Sequence, residues 1–400
     1  MPKFTEEQQL AIDTENSNIL VSAGAGSGKT AVLTERVIRK IKNGVHINEL
    51  LILTFTNKAA QEMKERIRNK LIKENLKEEL QLIDTSYVTT FDSYALSLVK
   101  KYADVIHLSK NIKITDDTIL NLKKEELLDD IFLSYYENPT KKFQELITNF
   151  CLKTDKNLKA KILELNNKLD LILDKEKYLK DYLNSYYSKE NINNLIREYL
   201  NLVMSKKDLI IDTYEELCSV SEDKYLENLI ATFKDFINTS NYDEIKKIGP
   251  LKLPNARLKG TDPSSKELRE TLKKLLDEFN SITSYDSLND ITLSFQESKD
   301  YIGVIVAIIL KLEEKFTHYK LENNYFTFMD IEKLAIKLVR DYQEVNLEVK
   351  NSFNEILIDE YQDTNDIQEE FVNLIAHNNV YMVGDIKQSI YRFRNANPAL

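Results

Sequence analysis

Ile19-Leu20-Val21-Ser22-Ala23-Gly24-Ala25-Gly26-Ser27-Gly28-Lys29-Thr30 is the stretch on which the reading of this chain turns. It opens on a short apolar run of the kind that forms a buried strand. After it, Leu33, Val37 and Ile41 recur at helical spacing. Strand, small-residue loop, Lys-Thr and helix is the context of a phosphate-binding loop. Glycines let the backbone wrap closely around anionic oxygens with its N–H groups turned inward. The helix that follows adds its positive end. On this reading Ala23, Gly24, Ala25, Gly26, Ser27 and Gly28 cradle the phosphates. Lys29 reaches the terminal ones, and the Thr30 hydroxyl ligates Mg²⁺. The usual pattern opens on glycine where this chain has Ala23. A strand–turn–helix corner that merely needs small residues is the competing reading of the same stretch.

Two later segments have matching features. Ile356-Leu357-Ile358 is a second strand-like run, ending in Asp359-Glu360 and followed by Tyr361-Gln362-Asp363-Thr364. Two carboxylates at the tip of a core strand suit a nucleotide site. Asp359 can complete the Mg²⁺ shell beside Thr30, and Glu360 can orient and deprotonate an attacking water. The bland alternative is a solvated acidic turn, which the Gly-rich loop makes the weaker reading. Val380-Tyr381-Met382-Val383 leads into Gly384-Asp385-Ile386-Lys387-Gln388-Ser389-Ile390-Tyr391-Arg392-Phe393-Arg394. Gln388 can both donate and accept near a γ-phosphate. Tyr391 and Phe393 offer flat faces to unpaired bases, and Arg392 and Arg394 can meet phosphates. An amphipathic turn with both aromatics in the core is the alternative. At the end of another apolar run, Phe55 can stack on a base while Thr56 and Asn57 contact backbone. Phe55 as ordinary core stays open. The helix expected after Asn57 carries Ala60, Met63, Ile67 and Leu71 as a stripe against the sheet. Asp330 reads equally as a helix cap or as a contact to these motifs.

Taken together, these segments resemble the N-terminal part of the UvrD/Rep-type superfamily 1 DNA helicases. The run Asp359 to Asn365 is similar to the family's second motif, and Gly384 to Arg394 to its third. The run from Val383 to Arg394 is especially similar to the AddA subunits of the AddAB-type helicase–nucleases. That family commonly carries alanine where Ala23 stands. Thr5-Glu6-Glu7-Gln8-Gln9 resembles the Q motif, which implies that Gln8 reads adenine through its amide. Leu53 to Ala60 resembles motif Ia, a single-strand contact. Thr89-Thr90-Phe91-Asp92-Ser93-Tyr94 resembles motif Ib, which adds Thr90 to the DNA contacts; many members carry histidine where this chain has Asp92. The resemblance implies ATP and Mg²⁺ as cofactors, with Lys29, Glu360 and Gln388 catalytic. It implies single-stranded DNA, or duplex with a single-stranded tail, as substrate, and 3′-to-5′ polarity.

Composition bounds the rest. Four hundred residues with two cysteines, Cys151 and Cys218, and no C-x-x-C spacing point away from a zinc site or an iron–sulfur cluster. The longest apolar run, Ile302 to Leu310, is too short to span a bilayer. A cytoplasmic protein with no membrane partner is expected. A net charge of −10 argues against indiscriminate nucleic-acid binding but not against a local basic track. No glycine occurs between Gly44 and Gly249, as expected of a helical block, and Pro250, Pro254, Gly260 and Pro263 mark a loop. Strands expected near 19–22, 50–55, 87–90, 355–359 and 380–383 flank that block. The expected fold is α/β: a RecA-like P-loop NTPase domain with a parallel sheet, built from 1–105 and 325–400 and interrupted by a mostly helical inserted subdomain over 106–324. The family's second RecA-like domain, with its trans-acting arginine, should lie beyond Leu400 or on a nuclease/helicase partner subunit. The competing class is a nucleotide-gated DNA-binding or regulatory subunit with no motor activity of its own.

Overall fold

The computed structural model describes residues 4–24, 26–221, 223–255 and 263–385. Among them the strands are Ile19–Ser22 (β1), Leu50–Thr54 (β2), Tyr87–Thr90 (β3), Lys113–Ile114 (β4), Tyr325–Phe326 (β5), Glu355–Asp359 (β6) and Val380–Gly384 (β7). Five of them make one sheet in the order β1-β7-β6-β2-β3, and every pairing in it is parallel.

The strand sequences explain the sheet. Leu50-Leu51-Ile52-Leu53-Thr54 is buried along its whole length, as a parallel strand covered by helices on both faces must be. Its side chains alternate between the two cores. Leu50 and Ile52 join Leu357 of β6 and Tyr381 and Val383 of β7 on one face. Leu51 and Leu53 join Ile356, Ile358 and Val380 on the other. The first face is covered by helices Lys29–Lys42 and Asn57–Lys73. Their stripes of Leu33, Val37 and Ile41, and of Met63, Ile67 and Leu71, pack into that core. Helices Phe91–Lys101, Phe328–Asp341 and Asp366–Ile375 cover the second face, through Tyr94, Leu98, Ile331, Ala335 and Phe371.

Polar side chains cap four of the helices that follow strands. Thr56 Oγ1 accepts from Ala59 N–H, and Thr90 Oγ1 accepts from Ser93 N–H. Thr327 forms a capping box with Asp330, and the Asn365 side chain accepts from Gln368 N–H. Parallel pairing then brings Ser22, Thr54, Thr90, Asp359 and Gly384 to one edge of the sheet. Open α/β sheets bind ligands at that edge.

Internal contacts divide the chain into two compact units, 1–127 with 165–173 and 313–400, and 128–164 with 174–312. The second is helical. Its core includes Val203 and Ile210 from helix Lys189–Ser219, Phe233 and Phe236 from helix Asp223–Ile237, and Leu272 and Phe279 from helix Pro263–Ile282. The α/β class with a parallel sheet and a helical block is therefore as expected. The pairing of β4 with β5 was not expected, and it ties Lys113 to Tyr325 and Ile114 to Phe326. Two-residue strands leave no periodic signal in the sequence. Among the described residues no helix is long and apolar enough to cross a membrane.

Candidate functional site

The loop between β1 and the Lys29–Lys42 helix is shaped by two glycines. Gly26 and Gly28 have φ of 74° and 82°, the left-handed region that side chains disfavour. Gly28 is the N-cap of the helix. Among the described residues no side chain caps that end, and its first turn carries no acidic residue. An uncapped, positively polarised helix start is a ready anion site. Gln8 closes the loop from the side: its Nε2 donates to Ser27 O at 2.9 Å, and its Oε1 accepts from Thr5 N–H at 2.9 Å. Each bond uses one of the amide's two donors or two acceptor positions. The helix bearing Gln8 is itself held in place. Arg36, fully buried, donates to Ala11 O and Ile12 O at the end of that helix and forks onto Glu355 at the start of β6, at 2.9 and 2.5 Å. The Arg36 guanidinium also lies 4.7 Å from the centre of the Tyr381 ring. Ala23 continues the sheet, donating to Gly384 O at 3.0 Å. Gly24, Ser27, Lys29 and Thr30 follow in order, and Ala25 lies outside the described residues.

Lys29 joins this loop to the acidic strand end. Its Nζ is 3.3 Å from Glu360 Oε2, and its side chain is 9 % exposed. Glu360 has φ 55°, left-handed for a residue with a side chain, a conformation that costs roughly 1–3 kcal/mol and is held only by its surroundings. Gln362 holds it: Nε2 donates to Glu360 Oε2 at 2.6 Å, while Oε1 accepts from Asp385 N–H at 2.8 Å. Burial, and then the Glu360 charge, push Asp359 up to about 6, against the opposing pull of Lys29 and Arg66. Two adjacent carboxylates at the strand end are oxygen donors of the kind that suits a hard cation. Gln388 lies outside the described residues.

A cavity of about 160 Å³ opens beside β2, β3 and β6, with Phe55, Thr90, Asp359 and Glu360 in its wall. Phe55 is half-buried, between a stacking platform and a core residue; Thr56 is half-buried and Asn57 exposed. The hydroxyls of Thr56 and Thr90 serve as helix caps. Tyr391 and Phe393 lie outside the described residues. The same cavity holds residues that sequence reasoning passed over. Glu332, 3 % exposed, accepts from Gln368 Nε2 at 2.7 Å. Burial, and next the Asp92 carboxyl to which it is hydrogen-bonded, push its pKa up to about 8. Asp330 proves to be a helix cap, bonded to Thr327 and to Lys320 Nζ. Arg36, Glu332 and Glu355 each carry one usable signal, a charge set within an apolar stripe. Gln362 carries none.

The family model of the UvrD/REP helicase N-terminal domain matches residues 4–248 and 220–400. Curated relatives are similar along the whole chain. The ATP-dependent helicase/nuclease subunit AddA of Clostridium beijerinckii is 34% identical over 446 residues, covering 100% of this chain and 36% of the relative. The protein of the same name in Clostridium perfringens is 31% identical over 449 residues, covering 100% and 35%. That of Ligilactobacillus salivarius is 31% identical over 452 residues, covering 100% and 36%. The chain thus spans about a third of the length of these relatives.

Proposed function

The chain belongs to the UvrD/REP helicase N-terminal domain family, and on that premise we propose that it is the ATP-binding portion of an ATP-dependent DNA helicase acting in repair or recombination. The observation that carries this reading is the 3.3 Å approach of Lys29 Nζ to Glu360 Oε2. It sets the phosphate loop and the acidic strand end face to face at the ligand-binding edge of the sheet.

In this reading Gly24, Gly26, Ser27 and Gly28 present backbone to the phosphates, and Lys29 leaves Glu360 to meet the terminal one. Gln8 turns its remaining amide donor and acceptor to adenine. Thr30 and Asp359 hold Mg²⁺, which supplies charge neutralisation at the phosphates when bound. Glu360 orients the attacking water and takes its proton. Phe55, Thr56, Asn57 and Thr90 line the track of a single strand, with Tyr391 and Phe393 as further stacking residues and Gln388 as the sensor of the γ-phosphate. ATP turnover drives movement along the strand in the 3′-to-5′ direction, with a second RecA-like domain closing over the nucleotide. The word "subunit" in the relatives' names supports a helicase–nuclease partner. A DNA substrate supports a cytoplasmic location.

Equilibrium titration with ATP and Mg²⁺ tests the reading. Lys29→Ala removes the cation aimed at the terminal phosphate and should weaken ATP binding by roughly tenfold or more, at ~1.4 kcal/mol per decade. ADP binding should fall less. Equal ATP affinity in both proteins refutes the assignment of the phosphate loop.

A further inference from the structure

Gln362 lies between the turn that follows β6 and the end of β7. Its amide leaves a single assignment. The Glu360 carboxylate can only accept, and the Asp385 N–H can only donate. Nε2 must therefore face Glu360 Oε2, at 2.6 Å, and Oε1 must face Asp385 N–H, at 2.8 Å. Gln362 is 6 % exposed, so its amide is largely withdrawn from bulk water, while the Glu360 carboxylate that it holds is part-exposed.

The backbone is shaped around this contact. A Cβ on Gly384 would stand 2.5 Å from Gln362 Oε1 and 3.2 Å from Gln362 N. A side chain there would push the Gln362 amide from its place, so glycine at the end of β7 is what lets the amide reach it. On the other side, Glu360 sits in the left-handed region. That backbone turns its carboxylate toward both Lys29 and Gln362. Three deviations from ordinary strand-end structure converge on one side chain: a strained glutamate, a glycine whose Cβ would collide with the amide, and a buried bidentate amide.

We propose that Gln362 is a positioning residue for ATP hydrolysis, bracing the Glu360 carboxylate against the backbone at the end of β7 so that the two shift as one. This rests on the reading of Glu360 as the group that activates water. Gln388 follows only three residues after Asp385 in the sequence. A displacement of the β7 end is thereby delivered to Glu360, and the reverse.

The test uses the full-length protein with saturating and zero single-stranded DNA. Gln362→Glu keeps the length and the acceptor for Asp385 N–H but cannot donate to Glu360. Gln362→Met loses both bonds at similar volume. Expected are a kcat lowered by about tenfold or more in both, a KM for ATP within about threefold of wild type, and a reduced ratio of DNA-stimulated to unstimulated turnover. A purely structural role would instead lower the melting temperature and leave that ratio in place. If Gln362→Glu does not fold, Gln362→Met alone decides, by the split between kcat and KM. Wild-type kcat and stimulation ratio in Gln362→Met overturn the proposal. Glu360→Gln is run alongside. If it retains turnover, the underlying reading of the base fails. If it abolishes turnover while the Gln362 variants behave as wild type, the positioning role alone fails.

Discussion

Replacing Glu332 with glutamine should abolish the pH dependence of stability that one buried site contributes. Glu332 is 3 % exposed and faces Asp92, carboxyl to carboxyl, at the wall of the cavity. Burial and that neighbour raise its pKa from 4.5 to about 8. The sign follows from linkage. Below pH 4.5 the folded and unfolded chains both hold the proton. Between 4.5 and about 8 the unfolded chain has lost it and the folded chain keeps it, so stability falls as pH rises. At ~1.4 kcal/mol per unit, the loss across the window is roughly 4–5 kcal/mol. Glutamine keeps an oxygen for the Gln368 amide at the same reach, and it has no proton to lose. Thermal melts from pH 5 to pH 9 at fixed ionic strength provide the assay. Wild type and Glu332→Gln should melt within about 2 °C of each other at pH 5. The variant should be higher by roughly 10 °C at pH 8.5, taking ~2–4 °C per kcal/mol for a unit of this size. Taking the difference between the two proteins cancels the titrating groups that do not touch Glu332 and leaves the Glu332–Asp92 pair. Parallel curves over the whole range would refute the reasoning, because Glu332 would then titrate alike in the folded and unfolded chains.

Arg36→Met leaves the buried Glu355 carboxylate to Lys40 Nζ, 3.5 Å away, and should destabilise by up to roughly 3–5 kcal/mol in urea unfolding, whereas Arg36→Met with Glu355→Leu should recover much of that loss. Phe55→Ala should weaken single-strand binding by ~1–3 kcal/mol in a fluorescence titration, with the melting temperature nearly unchanged; normal DNA affinity with a lowered melt would make Phe55 a core residue.

What could be read from the sequence was local. The proposed phosphate loop is a run of eight consecutive residues in the sequence, and within it Gly26 and Gly28 take the left-handed angles that small-residue loops are used for. The strands flanking the helical block declared themselves through runs such as Leu50 to Leu53 and Ile356 to Ile358, and the helices through stripes such as Met63, Ile67 and Leu71. What could not be read were pairs joined only by the fold. Arg36 meets Glu355 across 319 residues of chain, and Lys29 meets Glu360 across 331. Asp92 and Glu332 come from helices that are brought side by side only when both cover the same face of the sheet.

These unseen pairs still leave a trace. Arg36 falls between Leu33 and Val37, Glu332 follows the buried Ile331, and Glu355 precedes the buried Ile356. A charge on the buried face of an amphipathic element is expensive unless something answers it. Each such residue therefore announces a partner without naming it. Gln362 shows where that argument stops. A neutral amide beside two acids in a turn is ordinary by composition, and only the strand order explains why it matters. With β7 next to β6, the end of one strand comes within hydrogen-bonding reach of the turn that follows the other. The residues proposed for chemistry belong to contiguous motifs, whereas the residues that hold them in register are set by topology.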